Sequence, residues 1–256
     1  MGAAGNNGLN TAGVCWEISI MPIRIAINAP QDVGSAEGRT AELIAGLLYA
    51  RDNNAHVSNL SAGLDIVPEK GSLCPNRFRT FLPQGEYSNI IAKMNKVIAD
   101  LFNDIITPTP LYVLAGGECG PGISDADANY YDFPPEAFAS GANSSRTAIT
   151  VAATANTAGS VGGLASYSNY GQPFEIAGPG SWANMLNGTS NSANNYSGQG
   201  TSFAAPTIAG IAGLIVAANF ATYGTPDGDA LKTDLLTNHT SGNASGIPIV
   251  TMSNLP

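Results

Sequence analysis

The stretch SGQGTSFAAPTIAG, from Ser197 to Gly210, sets one serine, Ser202, at the start of an apolar segment. The segment continues to Ala221 and is interrupted by glycines and an asparagine, which favours a buried core helix over a membrane span. A helix N-terminus offers unpaired backbone N–H groups and the positive end of the helix dipole. Ser202 is therefore a candidate nucleophile that needs a base, and the alternative is a serine that only caps the helix. Pro206 is expected in the first turn, where its missing N–H costs nothing.

The composition indicates one compact globular domain over residues 1–256. Charged residues make up 11% of the chain and hydrophobic residues 44%, which is not typical of a disordered protein. The net charge is −9 and the basic residues are scattered, so the sequence offers no cationic surface for nucleic acid. We expect no membrane span, and the first residues do not resemble a signal peptide. The three cysteines have no metal-binding spacing.

Apolar runs and amphipathic segments alternate along the chain, which predicts a parallel sheet covered by helices on both faces. Ligands of such sheets bind beyond the carboxyl ends of the strands. The run from Ile18 to Ile27 is typical of a strand buried on both faces. A helix is expected to start at Ser35 or Thr40 and to end at Asn53. Further strands are expected at 56–64, 111–117 and 147–155. A loop insertion is expected at 64–83 and an amphipathic helix at 87–106. Residues 155–200 are expected to form hairpins.

The stretch GTSFAAPTIAGIAGLIVAA resembles the nucleophile motif of the subtilisin-like serine peptidases, Gly-Thr-Ser-x-Ala-x-Pro followed by a buried helix. The segments ITVAATANTAG, LASYSNYG and IAGPG precede it in the order of that family, and the likeness covers roughly residues 4 to 220. The resemblance implies a subtilisin-like three-layer α/β fold with a mainly parallel sheet flanked by helices. It implies a single domain with an insertion at about 64–83 and a short tail after about 222.

The same resemblance implies a serine endopeptidase that hydrolyses peptide bonds through an acyl-enzyme at Ser202. The segments that carry the family's catalytic Asp and His would precede the matching residues, and neither Asp-Ser/Thr-Gly nor His-Gly-Thr occurs in this sequence. We therefore expect the N-terminal part to be missing, the chain to be inactive alone, and a sheet edge or apolar face to be exposed. The alternative is a pseudoprotease that binds peptides or acts as a scaffold. Asp32 and His56 do not fit the family's positions, and His239 is expected in an exposed tail.

The oxyanion hole is the second point at which the sequence departs from the family. An Asn side chain of the family donates a hydrogen bond to the oxyanion, and Gly117 of the strand end LAGG stands at that position. The walls of the substrate groove are implied to be the strand ends LSAG and LAGG. The substrate-binding residues implied there are Ser61, Ala62, Gly63, Ala115 and Gly116.

No cofactor is expected, and a structural calcium ion is the one open alternative. In the stretch DADANYYDFPPE, oxygen-bearing side chains fall at the ligand positions of a calcium loop, but Tyr130 replaces the glycine that such a loop requires. The side chains in question are those of Asp125, Asp127, Asn129 and Glu136. The resemblance implies a polypeptide substrate, an extracellular location, and a separate N-terminal segment that supplies the Asp and the His.

Overall fold

The computed structural model describes residues 1–8, 12–28, 36–38, 40–61, 100, 102–103, 108–118, 145–157, 160–171, 174–186 and 195–251. Its strands are β1 Ala26–Asn28, β2 Ala36–Gly38, β3 Val57–Leu60, β4 Leu111–Ala115, β5 Ala148–Thr157, β6 Ser160–Leu164, β7 Ile176–Pro179, β8 Ser181–Leu186, β9 Asn195–Gln199, β10 Thr240–Ala244 and β11 Ile247–Val250. Its helices are α1 Thr40–Asp52, α2 Thr201–Ala218, α3 Phe220–Tyr223 and α4 Gly228–Asn238.

The main sheet has the strand order β10-β11-β7-β5-β4-β3, with β6 paired to β5. The pairs β3–β4, β4–β5, β5–β7 and β7–β11 are parallel, and only β6 and β10 run antiparallel to their neighbours. A parallel sheet is stable when both of its faces are covered, which is why β4 reads as a continuous apolar run. The predicted α/β class with a mainly parallel sheet is confirmed.

The two faces of the sheet are covered by different helices. Along β4, Leu111 and Val113 pack into the cluster that contains α2, whereas Tyr112 and Leu114 pack into the cluster that contains α1. Successive side chains of a strand point to opposite faces, so α1 and α2 lie on opposite sides of the sheet. The result is a three-layer arrangement, helix, sheet and helix.

Helix α2 is the central helix of the domain. It packs against β3, β4, β5 and β7 on one face of the sheet. By length and composition it could cross a membrane, and it is the one helix in the described ranges that could, but 61% of it is buried inside the chain. We assign it as the core helix that the sequence predicted.

The segment after residue 222 folds onto this core. Helix α4 packs against α2, and β11 joins the main sheet in parallel with β7. The Asp227 side chain caps α4 by accepting a hydrogen bond from the Ala230 N–H at 3.0 Å. His239, which follows α4, is only 6% exposed, so the expectation of an exposed tail histidine is wrong. The reason is that the sheet extends beyond β7 and covers this end of the chain.

The prediction of a strand over Ile18–Ile27, buried on both faces, is also wrong. Only Ala26–Asn28 is a strand, and it pairs with β2 in a separate antiparallel sheet of two strands. Ile20 is 62% exposed and Met21 is 38% exposed. A strand forms only where another strand pairs with it, and the sheets of the described residues include no strand over residues 18–25.

The remaining sequence predictions divide into confirmed elements and segments outside the described residues. Helix α1 begins at Thr40, one of its two predicted starts, and ends at Asp52. Strands β3, β4 and β5 lie where they were predicted, and β8–β9 is a hairpin within 155–200, as expected. The insertion at 64–83, most of the helix at 87–106, and the stretch DADANYYDFPPE lie outside the described residues.

Candidate active site

Ser202 is the second residue of α2 and is half-buried. The N-cap of the helix is Gly200, so the alternative that Ser202 only caps the helix is wrong. The N–H groups of Phe203 and Ala204 turn back onto the Gly200 carbonyl at 3.1 and 3.3 Å. No described residue accepts a hydrogen bond from the Ser202 N–H or hydroxyl, so both groups remain available at the positive end of the helix dipole.

Pro206 lies deeper in α2 than the sequence suggested. It is the sixth residue of the helix and stands inside it, so the expectation of a first-turn position is wrong. Its missing N–H would have bonded to the carbonyl four residues earlier, which is that of Ser202. The first turn of α2, which carries Ser202, therefore has one helical hydrogen bond fewer than a turn in the interior of a helix.

Gly200 is the backbone position that brings Ser202 beside an acidic side chain. Its φ of +147° is a conformation that residues with a side chain rarely adopt. A Cβ placed there would overlap the Oε1 atom of Glu118 and would also lie 2.9 Å from Ser202 Oγ. The Glu118 carboxylate and the Ser202 hydroxyl therefore face the same small space. Glu118 was not among the site residues predicted from the sequence, although an acid directly after the strand end LAGG was a usable signal.

Gly117 links the end of β4 to the start of α2. Its N–H donates to Thr201 Oγ1 at 3.0 Å, and its φ is +92°. Its carbonyl accepts from the Asn169 N–H at 3.1 Å, while the Asn169 side-chain amide donates to the Gly116 carbonyl at 3.0 Å. The structure thus brings Gly117 next to the residue before Ser202. Gly117 contributes no side chain there, and its N–H is already bonded to Thr201.

The two strand ends predicted to wall a groove lie side by side. The parallel register pairs Leu60 of β3 with Leu114 of β4, which sets Ser61 beside Ala115. Ser61 Oγ accepts a hydrogen bond from the Asn59 side chain at 3.0 Å. A Cβ on Gly116 would overlap the Phe174 ring, so only glycine fits there. The other two predicted residues of this wall, Ala62 and Gly63, lie outside the described residues.

Tyr167 anchors the loop that carries Gly200, and no motif in the sequence pointed to this role. The Tyr167 hydroxyl donates to the Gly180 carbonyl at 2.8 Å. The Gly200 N–H donates to the same carbonyl, also at 2.8 Å. Two donors on one buried carbonyl hold the chain just before Ser202 in place, so Tyr167 acts here as a positioning residue.

Neither described histidine lies where it could serve Ser202 as a base. The His56 carbonyl accepts from the N–H of Leu111, the first residue of β4, whereas Gly117 lies beyond the last residue of that strand. At about 3.3 Å per residue, His56 is roughly 20 Å from Gly117. The His239 imidazole faces Asp234, with Nε2 3.7 Å from Oδ1. Asp32 lies outside the described residues.

The described ranges contain no group of three or more His, Cys, Asp or Glu side chains that could hold a metal ion. The candidate calcium loop, which includes Asp125 and Glu136, lies outside the described residues. Chemically, the described site offers a serine hydroxyl, the free N–H of a helix N-terminus and a nearby carboxylate.

Comparison with solved structures supports the fold. A protease from Pseudoalteromonas arctica matches with a TM-score of 0.53 and 23% identity, covering 97% of this chain and 65% of its own. A cold-adapted subtilisin-like serine proteinase matches with a TM-score of 0.52 and 19% identity, covering 87% of this chain and 64% of its own. At these identities the likeness concerns the fold alone.

Sequence comparison identifies the family. Thermitase from Thermoactinomyces vulgaris is 26% identical over 213 residues, which is 83% of this chain and 57% of thermitase. This chain therefore spans little more than half the length of that relative. The model of the subtilase family, the serine peptidase family S8, matches residues 1–247. The chain belongs to the subtilase family.

Proposed function

We propose that this chain is the nucleophile-bearing part of a serine endopeptidase, with Ser202 as the nucleophile and with its base supplied by another polypeptide segment. The observation that carries the proposal is the position of Ser202 in the first turn of α2, against the ends of the parallel strands. The end of strand β4 is linked to this turn by the hydrogen bond that the Gly117 N–H donates to Thr201 Oγ1. This is the edge of a parallel sheet at which ligands bind.

The proposed reaction is acyl transfer. Ser202 Oγ attacks the carbonyl carbon of the scissile peptide while its proton passes to the base, and the Ser202 N–H stabilises the oxyanion. The leaving amine takes that proton as the C–N bond breaks, and water then hydrolyses the ester. The family resemblance assigns the base to a histidine oriented by an aspartate, neither of which stands in its motif in this sequence.

A polypeptide fits the proposed groove because its two walls are strand ends. Backbone groups beyond Leu60 and Leu114 can bond to an extended substrate. The substrate-binding residues proposed on these walls are Ser61, Ala62, Gly63, Ala115 and Gly116.

The test adds the base. A subtilase segment carrying the family's Asp and His-Gly-Thr motifs is fused ahead of Met1, and hydrolysis of an unstructured polypeptide is measured. We expect hydrolysis on the order of 10³-fold or more above the unfused chain, because a base activates Ser202 while the oxyanion site lacks a side-chain donor. Ser202→Ala in the same fusion must abolish the gain. A folded fusion that stays inert contradicts the proposal.

Gly117→Asn in that fusion tests the oxyanion position. In subtilisin, loss of one oxyanion donor costs about 10²–10³ in kcat, so a side-chain amide that reaches the oxyanion should restore up to that factor. KM should change little, since the bond forms mainly in the transition state. The φ of +92° at this position strains any side chain, so we also expect a loss of stability of about 1–3 kcal/mol.

Gly117→Ala is the matched control for that variant. It carries a comparable backbone strain but no donor, so the difference in kcat between the Asn and Ala variants isolates the hydrogen bond. Equal kcat in the two variants would show that the position-117 side chain does not reach the oxyanion.

A pseudoprotease that binds peptides without cleaving them is the second candidate function. The observation in its favour is again Gly117, which has no side-chain donor and whose N–H is already bonded to Thr201. A fusion that binds a polypeptide but stays inert, even with Gly117→Asn, would support this function over the first.

A further inference from the structure

Both peptide groups that flank Gly117 are held by one residue, Asn169. The carbonyl of the first group, between Gly116 and Gly117, accepts a hydrogen bond from the Asn169 side-chain amide at 3.0 Å. The carbonyl of the second group, between Gly117 and Glu118, accepts one from the Asn169 N–H at 3.1 Å. Asn169 therefore holds both peptide planes at the position that the family resemblance assigns to the oxyanion-binding asparagine.

The first of these peptide groups is also held at its N–H, by the start of the nucleophile helix. That N–H, which belongs to Gly117, donates to Thr201 Oγ1 at 3.0 Å, and Thr201 is only 1% exposed. A trans peptide is planar and its C=O and N–H point in opposite directions, so Asn169 and Thr201 lie on opposite sides of it. The peptide cannot rotate without breaking a hydrogen bond in a buried place, which is costly.

Gly117 needs such support because it has no side chain to restrict its backbone. Its φ is +92°, one of the many conformations open to a glycine. The second peptide group leads into Glu118, whose carboxylate shares the small space beside Ser202 Oγ. A rotation at Gly117 would therefore displace Glu118 and break the link to Thr201 at the same time.

Asn169 is itself anchored to the main sheet. It is 3% exposed, and its carbonyl accepts a hydrogen bond from Ser168 Oγ at 2.9 Å. Ser168 Oγ in turn accepts from the N–H of Ala153, a residue of β5, at 2.9 Å. Asn169 therefore holds the turn at Gly116 and Gly117 against the sheet, which is the rigid part of the domain.

The turn that Asn169 holds is not where an extended substrate would form its backbone bonds. The Gly116 N–H donates towards β5 at 3.1 Å, and its carbonyl is bonded to Asn169. The Leu111 N–H bonds instead to the His56 carbonyl, on the β3 side. Because backbone groups alternate along a parallel strand, those of Ala115 also point to the β3 side, where the groove lies. Loss of the Asn169 side chain would thus remove no bond to the substrate.

We propose that Asn169 is a positioning residue for the acyl transfer at Ser202. It keeps the turn at Gly116 and Gly117 in the conformation that serves the transition state. The inference rests on the proposed function for the reaction that the turn serves. Because groups that act in the transition state are misplaced when the turn is released, kcat should fall while KM stays the same.

The kinetic test uses the fusion that carries the family's Asp and His. We expect Asn169→Ala to lower kcat at least about tenfold and to leave KM within about twofold. The concentration of active sites is measured by fluorophosphonate labelling of Ser202, so that unfolded protein does not enter kcat.

Ser145→Ala is the matched control for Asn169→Ala. It also removes a buried polar side chain, whose hydroxyl donates to the Phe102 carbonyl at 2.8 Å. Ser145 precedes β5 and lies at the opposite end of the sheet from Ser202. The control should therefore lower the stability of the fusion and leave kcat and KM unchanged.

A second test needs no catalysis and uses the unfused chain. Amide exchange of Gly117 is compared by NMR with that of Tyr112, which donates to the Thr147 carbonyl at 2.8 Å in the same strand. We expect the Gly117-to-Tyr112 ratio of exchange rates to rise about tenfold in Asn169→Ala, because the turn opens more often. An opening of the whole domain would raise both rates and leave the ratio unchanged.

Asn169→Asp tests the hydrogen bond separately from the shape of the side chain. At neutral pH its carboxylate has no proton to donate to the Gly116 carbonyl, so the exchange ratio should rise as in Asn169→Ala. Burial and the facing carbonyl should raise the pKa of the new carboxyl above its usual value of about 3.9. Acidification should therefore restore the ratio in Asn169→Asp and not in Asn169→Ala. Glu118 titrates in both variants, so their difference reports position 169 alone.

Three results would overturn the inference. One is an unchanged exchange ratio in Asn169→Ala, and another is an Asn169→Asp variant that behaves like the unsubstituted chain at neutral pH. The third is an active fusion in which Asn169→Ala raises KM or leaves kcat unchanged. A fusion that is inert from the outset contradicts the proposed function alone, and the exchange ratio still decides whether Asn169 holds the turn.

Discussion

A serine-directed fluorophosphonate is expected to label Ser202 of the unfused chain about 10⁶ times more slowly than it labels a subtilase with an intact triad. A serine hydroxyl stays protonated at neutral pH unless a base takes its proton, and no described histidine lies near Ser202. In subtilisin, loss of the serine or the histidine alone costs roughly 2 × 10⁶ in kcat. The measurement is the rate at which the mass of the chain rises by one probe molecule.

Ser202→Ala is the control for that measurement, since it removes the labelled atom and leaves the helix intact. Rapid stoichiometric labelling that disappears in Ser202→Ala would contradict the prediction, because it would mean that a base is already present. Glu118, whose carboxylate shares the space beside Ser202 Oγ, is then the first group to examine. Glu118→Gln keeps its shape and removes its basicity, and would slow the labelling if it were that base.

Features with a local cause could be predicted from the sequence. Ser202 follows a glycine that permits an unusual backbone and precedes a long apolar segment, so its place at the start of a helix is specified within a few residues. The apolar run of β4 is likewise sufficient to predict a buried strand. The groove walls follow from these strands, because parallel neighbours end at the same edge of the sheet.

Features with a distant cause could not be predicted. The run at Ile18–Ile27 has the composition of a strand, but pairing depends on a neighbour far away in the sequence. His239 is buried because β11 joins β7, which no local pattern shows. The approach of Glu118 to Ser202 depends on the conformation of Gly200, more than eighty residues away from Glu118.

Lys232→Met is expected to lower the free energy of unfolding by about 3–5 kcal/mol at neutral pH. Lys232 of α4 is 8% exposed, and its Nζ donates to the carbonyls of Ser145 and Ala148 at 3.0 and 2.6 Å. The same atom lies 2.7 Å from Glu175 Oε1. Methionine keeps the apolar stem but leaves the Glu175 carboxylate without its counter-charge in a largely buried place. The measurement is the urea midpoint at pH 7.

Arg146→Met is the matched control, because it breaks an ion pair of the same type at the surface. The Arg146 and Asp229 side chains are 58% and 37% exposed, so water already screens their charges. We expect Arg146→Met to change the free energy of unfolding by no more than about 1 kcal/mol. The difference between the effects of Lys232→Met and Arg146→Met on the free energy of unfolding therefore measures how burial changes the contribution of an ion pair in one protein.

The pH dependence identifies which part of the Lys232 contact matters. Burial raises the pKa of Glu175, and the charge and hydrogen bond of Lys232 lower it. Lys232→Met removes only the lowering causes, so the pKa of Glu175 rises further. A carboxyl whose pKa is raised in the folded state contributes stability that is complete below its unfolded pKa, about 4.3, and is lost as the pH rises through the folded pKa. The deficit of Lys232→Met should therefore be largest at neutral pH and should shrink on acidification towards that value.

Glu175→Met in the Lys232→Met background completes the cycle. With both charges replaced by apolar groups, no buried charge is left unpaired, and most of the lost stability should return at pH 7. A deficit that is equal at pH 7 and pH 5, and that Glu175→Met does not relieve, would contradict this account. The cost would then lie in the unsatisfied carbonyls of Ser145 and Ala148, which do not titrate, and Lys232 would stabilise the sheet as a hydrogen-bond donor to β5 and the residues before it.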